Sequence, residues 1–366
     1  MKIYLLSLIS LLSISSAVKA QTVEYYTQDV YNAQPQIIYE DVAPGYQYKP
    51  QLPASAVEQI RQKDRVYCGS NLRVKSFAQI KEKRWSGIDA DLCRVFAQAI
   101  LGDSRKIVMV NVAANHVADA LNQGKIDIML SGSPRAAQME ISHQALSVGP
   151  IYYDYQKILV ADEKVENLLN YKDKKACLVK NSDDYKNFDD YNTQQELGIT
   201  YLSFETMQKA QEAFLLKRCQ ILTGSGLELS GLLQNMPNRK AAILPQSIAS
   251  RPVYAFVQKD NHEMQLLAKW ILNAMFLAEQ YNIKKQNLEY FATNDNPEIR
   301  NLLGDNPELW NMLELDPQWV RKAVEVLGNY GDIYERNLGE DSNYVLPRTS
   351  GKLVKDGGTI WPIPFM

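Results

Sequence analysis

Two short segments end alike: LSGS at 130–133 and LTGS at 222–225 each follow an apolar run and close in hydroxyl-bearing residues around a glycine. Hydroxyls at the carboxyl end of a buried strand suit the holding of a small polar ligand, because in open α/β sheets ligands occupy the crevice outside those strand ends. Ser131, Ser133 and Ser225 are therefore the first candidates for ligand contact. Ser and Gly also make ordinary turns, and it is the recurrence of the ending that favours a shared crevice. Chemistry beyond binding is not legible. No Ser-His-Asp or Cys-His arrangement presents itself, and general acid–base work needs positioned groups. His116, His143 and His262 are widely spaced and no C-x-x-C pair occurs, so no metal site, no cofactor and no enzymatic role are expected.

The elements that must carry these endings alternate regularly from Asp64 onward. A strand at RVYC, a helix over DADLCRVFAQAIL, a strand at KIVMVNV, a helix at HVADALNQ and the strand KIDIML make one half. The second half repeats the order with ACLV, DYKNFDDYNTQQELG, ITYLSF, ETMQKAQEAFLLK and CQILTG. On the first helix Ile88, Leu92, Val95, Phe96, Ala99 and Ile100 recur at helical spacing and predict one buried face. Strands alternating with helices imply parallel sheets and right-handed crossovers. Two apolar segments, 149–161 and 250–260, lie between the halves and read as antiparallel hinge strands, so the chain after about 256 returns to the first lobe. A long apolar helix, HEMQLLAKWILNAMFLAEQYNI, is expected to be deeply packed. A helical tail and a terminal clasp at GGTIWPIP complete the chain.

Four cysteines allow three pairings. Cys68 with Cys93 and Cys177 with Cys219 is the expected set, because each bridge then stays within one half and joins neighbouring elements of a βαβ unit. The first twenty residues carry Lys2, an apolar stretch from Ile3 to Ile14 and small residues before Ala20, the pattern of a cleavable secretory signal. Export to an oxidising compartment agrees with the paired cysteines. Residues 21–63, rich in Tyr, Gln and Pro, read as an extended arm. The formal charge of −2 becomes about −4 without Lys2 and Lys19, and no basic stripe is present, so nucleic acid is not an expected partner.

VYCGSN at 66–71, WSGIDADLCRVFAQAILGD at 85–103, ALNQGKID at 120–127, YYDYQ at 152–156, RCQILTGS at 218–225, NPEIRNLLG at 296–304 and GNYGDIYERNLG at 328–339 together resemble the periplasmic solute-binding proteins of ABC amino-acid importers, in the branch for general L-amino acids. The resemblance implies a two-lobed type II periplasmic-binding fold. Lobe 1 would comprise 64–155 and 256–366 with a C-terminal extension, lobe 2 would comprise 156–255, and the lobes would close on a ligand. It further implies a periplasmic, monomeric receptor that delivers an amino acid or related compound to a membrane permease. Arg135 matches the family's carboxylate-gripping arginine. Ser225 stands where relatives carry the aspartate that holds the amino group, and NSDDY at 181–185 replaces their Gly-Thr-Thr loop. Asp183 or Asp184 either offers a substitute carboxylate or caps the next helix. Phe77, Trp85 and Tyr152 fall in segments that border the cleft in relatives. Arg73 and Lys75 occupy a loop that is glycine-rich in relatives, facing an anion or water. The altered clasps also admit a repurposed, non-transport envelope protein as the alternative.

Overall fold

The computed structural model describes residues 54–365 apart from 73, 134, 163, 165, 166, 237–239 and 347. The expected signal segment, the arm as far as residue 53, and Arg73 lie outside the described residues.

The chain opens on helix α1 (Ala56–Lys63), where Ser55 caps the first turn by accepting from Glu58 N, and Ala56, Val57 and Ile60 are buried on one face. These residues were expected in the extended arm; an apolar face and a cap are enough to fold them as a helix against the first half. There follow strand β1 (Val66–Ser70), the hairpin β2 (Gln79–Lys81) and β3 (Arg84–Ser86), helix α2 (Ile88–Leu101), β4 (Ile107–Asn111), α3 (Val117–Asn122), β5 (Ile128–Ser133) and α4 (Ala136–Ile141). The long strand β6 (Ala145–Val160) leads into β7 (Lys175–Val179), α5 (Asp183–Gln194), β8 (Thr200–Phe204), α6 (Met207–Leu215), β9 (Ile221–Ser225), α7 (Gly226–Gln234) and the short β10 (Ala242–Ile243). Strand β11 (Ala249–Gln258) then returns to α8 (His262–Gln280), α9 (Pro297–Leu303), α10 (Pro307–Met312), α11 (Trp319–Leu327) and α12 (Tyr330–Asn337).

Apart from the β2-β3 hairpin, which is a sheet of its own, the strands form one hydrogen-bonded sheet in the order β4-β1-β5-β11-β6-β9-β7-β8, with β10 on β6. Within each half the pairing is parallel: β1 lies between β4 and β5, and β7 between β8 and β9. Only β6 and β11 run through the middle, antiparallel to each other from Ala249 opposite Gln156 to Gln258 opposite Ala145. These are the two hinge strands the sequence predicted.

The ladder is continuous, but the apolar cores are separate. Phe96, Ile128, Ile271 and Trp319 belong to the first core, whereas Ile158, Phe188 and Ile221 pack on one face of the second sheet half and Leu159, Phe214 and Leu222 on the other. Neighbouring residues of β6 and β9 thus point to opposite faces, as a pleated strand buried on both sides requires. Leu227 of α7, in the second half, also packs in the first core. Two bodies with their own cores, joined by two strands, are the two-lobed type II architecture.

Each half is stapled internally. Cys68 bonds Cys93 and Cys177 bonds Cys219, with Cα atoms 6.1 and 5.8 Å apart, which is the expected pairing. Helix α8 is buried at every position from 271 to 278, while Leu266 near its start is exposed. The C-terminal clasp fastens onto it: Asn273 Nδ2 donates to Ile363 O at 2.8 Å, and Ile363 N donates to Asn273 Oδ1 at 2.7 Å.

Candidate functional site

The first half presents its crevice at the ends of β1 and β5. Gly87 caps α2 with φ of +120°, and a Cβ there would lie 2.3 Å from Phe77 O, so only glycine lets the loop pass this close to the helix start. Two residues on, Asp89 is fully buried and gathers both strand ends: Ser70 Oγ donates to Oδ2 at 2.6 Å and Ser131 Oγ to Oδ1 at 2.7 Å. Tyr152 OH lies 3.2 Å from Ser131 Oγ. Burial, only partly offset by the serine hydrogen bonds, pushes the Asp89 carboxyl up to about 7. Asp91 faces the C-terminal tail instead, accepting from Arg336 Nε at 2.8 Å and Asn337 Nδ2 at 2.7 Å. The D-x-D pair at the head of α2 therefore ties strands on one side and tail on the other, with its charge at the favourable end of the helix dipole.

Ser131 and Tyr152 meet in this network, but the Tyr152 ring is wholly buried, packed 5.9 Å from Phe77 between ring centres. Its place is behind the crevice, as a support for Ser131. Phe77 and Trp85 are half-buried against the first core. Ser133 ends β5 opposite Tyr254 of β11, and its side chain lies outside the described residues.

The second half is built differently. Ser225 caps α7 by accepting from Glu228 N at 3.3 Å, and its side chain also hydrogen-bonds the carboxylate of Asp154, on hinge strand β6. Asp154 is buried and accepts from the backbone N–H of Tyr155 at 2.8 Å and from that of Leu227. Desolvation raises its pKa, opposed by Ser225 and the nearby Arg251. Arg251 stands directly across the ladder from Asp154 and forms an ion pair with Asp184. Below them Gln156 Nε2 donates to Asp184 O at 2.8 Å and to Thr223 Oγ1 at 3.1 Å. A carboxylate absent from the end of β9 is thus present one strand away, on the hinge.

The two rims meet through charges. Arg135, beyond β5, donates from Nη2 to Asp183 Oδ2 of α5 at 2.7 Å, with both side chains more than half exposed. The guanidinium holds the Asp183 carboxyl below the usual carboxylate range. Ser182 provides the cap of α5, accepting from Tyr185 N at 3.1 Å, which leaves Asp183 for this contact. The cation and anion singled out separately in the sequence are therefore each other's partners across the gap between halves. Asp89, Asp154 and Arg251 were missed, although GIDAD and YYDYQ already contained the two acids; an acid inside an apolar run is the signal that marks them. Lys75 is exposed beside a cavity of about 980 Å³ that runs from Asn71 and Gly87 to Glu228.

No family model matches the chain. Among curated proteins it is 26% identical over 314 residues to the putative amino-acid ABC transporter-binding protein YhdW of Escherichia coli (strain K12), covering 85% of this chain and 92% of that one. It is 26% identical over 316 residues to the glutamate/glutamine/aspartate/asparagine-binding protein BztA of Rhodobacter capsulatus, covering 85% and 94%. Among solved structures, an ABC transporter periplasmic binding protein from Brucella ovis with glutathione bound superposes with a TM-score of 0.75 at 28% identity, covering 85% of this chain and 99% of that one. In sequence and in fold, the chain is similar to the periplasmic binding proteins of amino-acid ABC transporters.

Proposed function

We propose that this protein is an exported receptor that captures a small zwitterionic ligand between two lobes, 64–155 with 256–366 and 156–255, and delivers it to an ABC importer without any covalent chemistry. Residues 1–20 would direct it to the periplasm and be removed there. The observation that carries the reading is the superposition over nearly the whole length of a solved binding protein with its ligand in place.

The chemistry follows from the rim pair. A ligand carboxylate competes with Asp183 for Arg135, whose planar fork matches a carboxylate, while the ligand ammonium takes the Asp183 carboxylate. Both protein charges exchange one partner for another, so neither is left unpaired. The strand-end hydroxyls of Ser131, Ser133 and Ser225 supply neutral hydrogen bonds, and Phe77 and Trp85 border the apolar part of the ligand. Closure is absorbed by β6 and β11.

The test is a thermal-shift and calorimetric panel on the mature protein with the L-amino acids, glutathione, polyamines, dicarboxylates and short peptides. A true ligand at 100 times its dissociation constant stabilises the fold by about 2.7 kcal/mol. Silence across every compound would sink the receptor reading and favour the repurposed envelope protein.

A further inference from the structure

The segment after α12 reaches beyond the lobe from which it springs. Its root is fixed on the first half: Arg336 and Asn337 hold Asp91, and Arg348 makes a two-point contact with Glu279 of α8, 2.5 and 2.9 Å. Its tip touches the second half, where Gln234 Nε2 donates to Asn343 O at 2.6 Å and the buried Leu346 packs against Gly226 at the head of α7. Leu346 N donates back to Leu338 O at 2.8 Å, closing the segment into a strap. Val345 at its tip has φ of +45°, a backbone state that a β-branched residue adopts only under constraint. The strap is held in shape.

Ser342, Asn343 and Tyr344 of this strap line two cavities, one of about 980 Å³ and one of about 1130 Å³. The first begins at Asn71, Gly87 and Glu228, beside the strand-end crevice, and extends along the gap. Its volume lies at the upper end of small-molecule sites and exceeds what a free amino acid fills. Amide-bearing residues from both halves and the strap line it, among them Gln79, Gln208, Gln211, Asn235 and Asn343. Each amide offers a donor and an acceptor together, the complement of a peptide group. On the same wall the buried Ser76 interacts through its side chain with Tyr344 of the strap.

We infer that residues 338–346 form a third wall of the ligand cleft, and that the cleft is built for a ligand of peptide length whose amide groups are read by the strap and the facing glutamines. This deepens the receptor reading above and rests on it. A ligand with one end at Arg135 and the strand endings would lay its remaining length along the cavity toward Tyr344.

The experiment is titration calorimetry of the mature protein with glutathione, triglycine, and free glutamate, cysteine and glycine, repeated on Tyr344→Ala and Gln234→Ala. The expected result is that at least one of the two tripeptides binds at least tenfold more tightly than any of the free amino acids, and that each variant weakens that binding about tenfold while the melting temperature without ligand stays within about 2 °C. Gln234 is a partly exposed amide, so its variant keeps the test alive if Tyr344→Ala fails to fold. Free amino acids binding as tightly as the tripeptides, or tripeptide binding unchanged in both variants, overturns the inference and leaves the receptor reading standing. No binding of any compound, here and across the wider panel, overturns both.

Discussion

The two halves end their central strands in nearly the same letters and secure them in opposite ways. At the end of β5, Ser131 leans on a buried acid from its own half, Asp89 at the head of α2. At the end of β9, Ser225 leans on Asp154 from the hinge. The first crevice is therefore assembled within one half, while the second is coupled to a strand that joins the two halves. Similar sequence motifs built into one sheet have acquired different mechanical roles, because what a serine does depends on which acid the packing brings to it.

The bridges give the largest test of this asymmetry. Replacing both cysteines of either pair with serine is expected to cost about 2–5 kcal/mol in chemical denaturation. The second bridge spans 42 residues and the first 25, so on loop entropy alone the Cys177–Cys219 variant should lose about 0.5 kcal/mol more. The reverse order would show that the first half, with its wider core and tail, depends more on its staple.

The buried acids come next. Asp89→Ala strands two buried serine hydroxyls and is expected to destabilise by about 1–3 kcal/mol, without changing the unfolding midpoint ratio between the two disulfide variants. Its titration has a sign: Asp89 ionises near 7 when folded against an ordinary 3.8, so between those values the folded state holds the additional proton. Stability from this group is greatest at the acidic end and declines as pH rises toward about 7. Urea midpoints at about pH 5 and about pH 8 should therefore differ more in the native protein than in Asp89→Asn. Asp154 shifts in the same direction, so some slope should survive in that variant; a slope identical to the native one would remove Asp89 from the account.

The rim pair should matter least to stability. Arg135→Ala breaks an exposed ion pair and is expected to change stability by less than about 1 kcal/mol, yet to weaken a carboxylate-bearing ligand about tenfold or more, the value of one charge-assisted hydrogen bond. Asp183→Asn separates the two roles of that residue. Zwitterions should bind a few-fold more weakly, and carboxylates lacking an ammonium a few-fold more tightly, by calorimetry. A uniform effect on both classes would mean that Asp183 serves only the fold of α5.

Most of the elements could be read in advance where periodicity is strong. The alternation of strand and helix and the β-branched hinge segments landed as expected; the six apolar positions on α2 are buried too, but so is nearly all of the rest of that helix, where one buried face was expected. The hairpin of β2 and β3 escaped notice because its turn uses Glu82 and Lys83 at positive φ, with no Asn-Gly to announce it. Helix α1 escaped because its one-turn apolar face sits at the end of a tyrosine- and glutamine-rich stretch. Arg135, Asp183, Ser131 and Ser225 could be named individually, but not their partners.

By itself the sequence determined the duplicated α/β order, the hinge strands and the pairing of its cysteines, because each of these follows from local periodicity or from staying within one βαβ unit. Only the tertiary structure decided that Arg135 meets Asp183, that Asp154 stands behind Ser225, and that a strap rooted on Asp91 touches α7. Those contacts join residues 48, 71 and more than 100 positions apart, and no periodic pattern along a chain specifies which distant side chains the packing of two cores will bring within hydrogen-bond reach.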